Sequence, residues 1–156
     1  MNVILLVIDA LRIDHLSING YKRKTSPNID KLISEGAYFS NAYTVLPNTK
    51  PTFASILSGK YPYSHGVRMV FNNKLKPGIS TLQAILKSHG YRTAYTKSDP
   101  HTDDGTEDDF DFCDPAALKI RNKISRVCYR IFHPGTYIGM AEQQISNVIR
   151  WVKKNS

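Results

Sequence analysis

Asn2-Val3-Ile4-Leu5-Leu6-Val7-Ile8-Asp9 (NVILLVID) decides how this chain is read. Val3 to Ile8 are apolar with no polar alternation, the pattern of a strand covered on both faces inside a parallel sheet. The run stops at Asp9, which puts a carboxylate at the strand's carboxyl end. Ligands of open α/β sheets collect at that edge.

Working outward, residues 10–25 read as a loop with Asn19-Gly20 as a turn signal. Ser26-Pro27 supplies an N-cap serine and a proline at the first helical position. Ile29, Leu32 and Ile33 then share a face and Gly36 stops the helix. Ala37 to Leu46, rich in aromatic and β-branched residues, reads as a strand or extended segment, with Tyr38, Phe39 and Tyr43 in the sheet core. Asn48-Thr49-Lys50-Pro51 opens a second helix with Thr49 or its neighbour as N-cap, Ala54, Ile56 and Leu57 inside, and Gly59 closing it. Ser80 begins a third helix, carrying Leu82, Ile85 and Leu86 and ending at His89-Gly90; Tyr91 to Thr96 is a short strand.

This order predicts an α/β fold, a mostly parallel sheet flanked by helices. Residues 98–115 form an acidic loop and residues 116–156 are expected to be helical, as Ala116–Phe132 and Tyr137–Lys153. No strand follows the last helix, so the sheet reads as the N-terminal half of a domain. Neither repeats nor low-complexity tracts divide the chain, so residues 1–156 are expected to be one domain fragment.

At 156 residues, 41% hydrophobic and 22% charged, the chain has the composition of a globular domain large enough to bury a core without disulfides. Cys113 and Cys128 form neither a disulfide framework nor a metal-ligand spacing. No apolar run approaches the ~18 residues of a membrane span, and the N-terminus lacks a signal-peptide pattern, so the expected location is cytoplasmic. The net charge of +8 is segmented: +8 over residues 1–102, −7 over 103–114 and +7 over 115–156. That pattern suits internal attraction or an anionic substrate as well as phosphate backbones, and the aromatic motif of RNA-binding sheets is absent. The acidic stretch lacks the glycine turn and terminal glutamate of a calcium-binding hand and is expected to be a solvated loop.

Asp9 and Thr49 are the residues on which chemistry can be built. A hydroxyl at a helix N-terminus faces exposed amide N–H groups and the positive helix end, both favourable to an alkoxide attacking a sulfate or phosphate ester. Asp9 is a hard oxygen donor able to hold a divalent cation. On spacing alone, a plain helix cap and a solvated carboxylate remain open alternatives.

Five motifs then carry a resemblance. Val7-Ile8-Asp9-Ala10-Leu11-Arg12-Ile13-Asp14-His15-Leu16, Thr25 to Leu32 with Gly36, Phe39-Ser40-Asn41-Ala42-Tyr43, Thr49-Lys50-Pro51-Thr52, and Leu57-Ser58-Gly59-Lys60-Tyr61-Pro62 with His65-Gly66-Val67 resemble the N-terminal part of a sulfatase, in the alkaline phosphatase superfamily. The match covers about residues 1–95, and more loosely Glu142 to Lys154.

The resemblance implies a metal-dependent hydrolase or transferase acting on sulfate or phosphate esters. Asp9 and Thr49 would be metal ligands, with Thr49 also the nucleophile, and the metal would be Ca²⁺, Mn²⁺, Zn²⁺ or Mg²⁺. Sulfatases have a cysteine or serine, converted to formylglycine, where this chain has Thr49, so no formylglycine is expected. The arginine four residues after the nucleophile is Phe53 here, and the aspartate beside the first is Ala10. A threonine nucleophile resembles the phosphodiesterase and phosphotransferase branches and favours a phosphoester or phosphodiester. Lys97 lies near the family's anion-contacting lysine, while Asp14, His15 and His65 would support the site from behind the ligands.

The family's remaining ligands come from positions beyond 156, so this chain is expected to hold half a metal site. The substrate would be a small-molecule, lipid or glycan ester. A complementing chain or a homodimer would complete the site. Two readings from other classes stand beside this one: a non-catalytic truncated domain that binds an anion or a partner subunit, and a nucleic-acid binder using Lys119 to Arg130, which rests on charge alone.

Overall fold

A computed structural model describes residues 2–69, 73–96, 105–106, 108–113 and 146–154. The chain divides into two compact units, Met1–Thr44 and Val45–Ser156.

In the first unit, residues 2–8 are not in a strand, and the expected strand is corrected to an extended exposed segment. Ile4 is 90% and Leu6 74% exposed. A parallel strand exists only through ladder bonds to neighbours and cover on both faces, and among the described residues nothing pairs with this run. The segment 37–46 likewise forms no strand, and Phe39 and Tyr43 are exposed instead of lying in a sheet core. Their β propensity describes fit to a half-buried pleated surface, which no described strand provides.

Short 3₁₀ turns at Ile13–His15 and Ser17–Asn19 lead into α1, Pro27–Glu35. Ser26 precedes α1 and is buried, but its hydroxyl donates to Asp30 Oδ1 (2.8 Å) and accepts the Ser17 amide (2.9 Å). Asp30 also accepts from the Ser17 hydroxyl and, at 3.3 Å, from the Ile18 amide. The Ser17 hydroxyl bond is the main reason the Asp30 carboxyl titrates below its ordinary value, with the Ser26 bond acting in the same direction. This polar knot fixes α1 on the preceding turn.

The second unit is built on α2, Thr49–Ser58, and α3, Pro62–His65. Asn48 is the N-cap of α2, Pro51 lies in its first turn, and Gly59 ends it at φ +64°, the left-handed conformation that a helix C-terminus favours. Ala54, Leu57, His65 and Val67 are buried together with Lys50 and Pro51. Helix α4, Leu82–Ser88, is capped by Thr81, whose hydroxyl accepts from the Ala84 amide.

The parallel sheet is a pair: β1, Ala94–Tyr95, lies beside β2, Phe112–Cys113, with Ala94 opposite Phe112. Part of the acidic stretch is therefore structural, not simply solvated. Thr81 donates to Asp109 (2.7 Å), Gln83 Nε2 donates to the Thr106 carbonyl, and Asp111 accepts the Thr93 amide (2.7 Å) and hydroxyl (3.0 Å). Lys87 pairs with Asp111 at 3.0 Å. Residues 146–154 are helical, and Trp151 stacks on Phe112 with ring centroids 5.9 Å apart. The helix expected over Ala116–Phe132, the start of the one expected over Tyr137–Lys153, and Cys128 lie outside the described residues. Among the described residues no helix is long and apolar enough to cross a membrane.

Candidate active site

Asp9 ends the extended segment at a turn, and its Oδ1 accepts the Ala10 amide at 3.1 Å. Ala10 adopts φ +56°, the left-handed region that most side chains avoid, so the chain turns sharply just after the carboxylate. The carboxylate is exposed. Asp14 and His15 lie in the next turn, where the Arg12 guanidinium donates to Asp14 through Nε at 3.0 Å and through a second nitrogen. That bond lowers the Asp14 pKa. His15 packs edge-on against Tyr21, with centroids 4.6 Å apart, and its carbonyl accepts from the Thr25 hydroxyl. The hydrogen bonds of these two residues thus brace their own loop.

Thr49 is the first residue of α2 and is half-buried. The Thr52 amide closes the first helical bond, to Asn48 O at 3.2 Å, so the amides before it have no intrahelical acceptor. Among the described residues no hydrogen bond engages the Thr49 hydroxyl. A free hydroxyl beside the positive end of a ten-residue helix suits an attacking group or an anion contact. Phe53, one turn on, is half-buried and brings no charge.

His65 has no exposed surface. Its Nδ1 accepts the Val67 amide at 3.1 Å, which requires that nitrogen to be unprotonated and leaves Nε2–H to donate to Ser55 Oγ at 2.9 Å. The ring therefore ties the loop after α3 to the middle of α2, the helix whose first turn carries Thr49.

Sequence reading missed two residues. Ser55 gives no signal by itself, because its value lies in meeting His65, ten positions away. Lys50 is only 6% exposed although it follows Thr49 directly; its 50, 54, 57 spacing with Ala54 and Leu57 places it on the inward face of α2 and was legible in principle. Lys97 lies outside the described residues.

The donor chemistry of Asp9 fits a hard divalent cation through one oxygen. Among the described residues no three His, Cys, Asp or Glu side chains gather as a metal site.

The family model described as Sulfatase matches residues 1–130. An arylsulfatase of Clostridium perfringens is 42% identical over 93 residues, covering 59% of this chain and 19% of that protein. A ulvan-active sulfatase of Formosa agariphila is 36% identical, covering 60% of this chain and 18% of its own length, and an N-acetylgalactosamine-6-O-sulfatase of Bacteroides thetaiotaomicron is 32% identical, covering 59% and 19%. The chain spans about a fifth of the length of these curated relatives. No solved structure matches. The motif set around Asp9, Thr49 and His65 and the match over most of the chain agree: this chain belongs to the Sulfatase family.

Proposed function

We infer that this chain carries the nucleophile half of a metal-dependent esterase or transferase site for sulfate or phosphate esters. The observation that carries this reading is Thr49, the first residue of α2, with a hydroxyl that no described residue engages. The hydroxyl loses its proton to solvent and attacks the sulfur or phosphorus, the bond to the ester's alcohol oxygen breaks and the alcohol leaves, and the ester left on Thr49 passes to water or an acceptor hydroxyl, while the α2 amides stabilise the non-bridging oxygens. Asp9 would contribute one oxygen to a divalent cation, which when bound supplies positive charge for the developing anion.

A phosphoester or phosphodiester is the favoured substrate. Sulfatase chemistry through formylglycine needs a cysteine or serine, and position 49 is threonine. The relatives named above act on sulfate esters by their descriptions, so aryl sulfates belong in the same comparison.

The test is turnover of 4-nitrophenyl phosphate, bis(4-nitrophenyl) phosphate and 4-nitrophenyl sulfate in the presence of Mn²⁺, Zn²⁺, Ca²⁺ or Mg²⁺, with Thr49→Ala beside the parent. Loss of turnover in the variant supports the reading. Equal rates in both remove Thr49 from the mechanism. Absence of turnover together with no heat of metal binding at millimolar cation would leave a non-catalytic anion-binding or subunit-binding domain.

A further inference from the structure

Gln83, in the first turn of α4, is 2% exposed, and among the described residues nothing donates to its side-chain oxygen Oε1. The other half of the same carboxamide is committed, because Nε2 donates to the Thr106 carbonyl. Exchanging the two amide atoms would turn an oxygen toward that carbonyl, so the acceptor on Thr106 fixes which atom is which. The carboxamide is planar and short. Its unpaired oxygen therefore lies where Gln83 meets the acidic segment.

A buried carbonyl oxygen with no donor costs folding free energy unless a donor or a cation reaches it. The segment against it carries a net charge of −7 over residues 103–114. It is fastened to the start of α4 twice, at Thr106 through Gln83 and at Asp109 through the Thr81 hydroxyl (2.7 Å). Asp108 lies between these two anchors. Its Oδ2 stands 4.0 Å from the place of a Cβ on Gly105, so the carboxylate folds back toward the residue that precedes Thr106. Among the described residues no ion pair or hydrogen bond engages the Asp108 carboxylate, and Lys87, one turn beyond Gln83, is taken by Asp111 at 3.0 Å.

We propose that Gln83 Oε1 and the Asp108 carboxylate hold a calcium ion between α4 and the acidic segment. Both donors are oxygens, one from a carboxamide and one from a carboxylate, and neither is the nitrogen or sulfur that selects zinc. Ca²⁺ accepts such mixed oxygen donors in irregular geometry and completes its shell with water, whereas Mg²⁺ demands a near-ideal octahedron. The segment is not a calcium-binding hand, and its charge alone would leave it a solvated loop. The buried, unpaired oxygen of Gln83 is what points to an ion. This site shares no residue with Asp9 and Thr49, goes beyond their ester chemistry, and is read by binding without turnover.

The test is calorimetric titration of the full chain with Ca²⁺, carried out on Asp9→Asn so that heat from that carboxylate does not enter. One ion is expected to bind and to raise the thermal unfolding midpoint of the same preparation. Gln83→Met and Gln83→Glu, each added to Asp9→Asn, both lose the donation to Thr106, but only the second keeps an oxygen at the site. Gln83→Met is expected to weaken calcium binding about tenfold, and Gln83→Glu to bind at least about tenfold more tightly than Gln83→Met. Asp108→Asn, a change at an exposed side chain, is expected to weaken binding about tenfold. Glu35→Gln, which removes the same charge elsewhere, is expected to leave it unchanged. Absence of calcium binding in Asp9→Asn, which would leave Gln83 Oε1 to a buried water, would overturn the proposal. Equal affinities in the two Gln83 variants, or in Asp108→Asn and Glu35→Gln, would do the same.

Discussion

Ser55 Oγ lies 2.9 Å from His65 Nε2, in a place where the imidazole has no exposed surface. With Nδ1 committed to the Val67 amide, the ring is neutral and bridges α2 to the loop beyond α3. His65→Ala removes both bonds and leaves a cavity. The expected loss is about 3 kcal/mol of folding stability, read by urea denaturation. Ser55→Ala deletes only one partner and should cost about 1 kcal/mol. A His65→Ala loss no larger than that of Ser55→Ala would show that the ring does not hold the two elements together.

Asp111 accepts two hydrogen bonds from Thr93 and pairs with Lys87, which together depress its carboxyl from 3.8 to about 2, the Thr93 amide contributing most. A carboxylate with a depressed native pKa binds fewer protons in the folded chain than in the unfolded one. Its stabilising contribution is present above pH 3.8 and is lost as the pH falls through about 2. Thermal unfolding followed between pH 5 and 2 should show the midpoint falling across that window. In Asp111→Asn the fall should be shallower; an unchanged slope would mean that Asp111 is not the group responsible.

The fold was legible where its causes are local. Pro27 and Gly59 mark helix ends through properties of single residues, and α1, α2 and α4 fall where the sequence places them. Residues 2–8 were not readable in the same way, because a strand is a relation to neighbours, and the described chain offers that run none. The Thr93–Asp111 clamp spans 18 positions and joins residues with no shared periodicity, so β2 emerged from a segment that reads as a loop. Of the candidate site residues, Thr49 stands at the start of α2, where the sequence puts a helix, whereas Asp9 ends an apolar run that is not a strand. The Ser55–His65 bridge was hidden because it depends on which ring nitrogen the Val67 amide occupies.

Thr81 serves α4 twice, accepting the Ala84 amide as an N-cap and donating to Asp109 at 2.7 Å. Thr81→Val keeps the volume and removes both bonds. A loss of about 2 kcal/mol is expected in urea denaturation. Asp109→Asn retains an acceptor for the Thr81 hydroxyl and should cost much less than Thr81→Val. If Thr81→Val is neutral, the acidic segment is not secured through this residue.

Gly59 and Gly66 both adopt left-handed φ, +64° and +90°, but their surroundings differ. A Cβ at Gly59 meets nothing within 4 Å, so Gly59→Ala carries the backbone cost alone, about 1 kcal/mol. A Cβ at Gly66 collides with the Lys76 side chain. The nearest atom is Lys76 Cγ at 2.8 Å, close to the backbone of a side chain held through its amide by the His65 carbonyl and through its ammonium by the Tyr63 carbonyl. Gly66→Ala should therefore lose more stability than Gly59→Ala, read by urea denaturation. Equal losses would show that the Lys76 side chain gives way without cost.

Thr49 combines a helix-start position with a hydroxyl that no described residue engages, and its substitutions separate those roles. As the first helical residue it lies outside the N-cap, which is Asn48, so Thr49→Ala should change stability by less than about 0.5 kcal/mol. If the hydroxyl attacks the ester, the same substitution should lower kcat by at least about a thousandfold, whereas Thr49→Ser, which retains an oxygen, should keep a measurable fraction. Rates and denaturation curves measured on the same preparations decide between the roles. A drop in stability matching the drop in rate would return Thr49 to the structure of α2, and a loss of rate with unchanged stability would leave its hydroxyl in the chemistry.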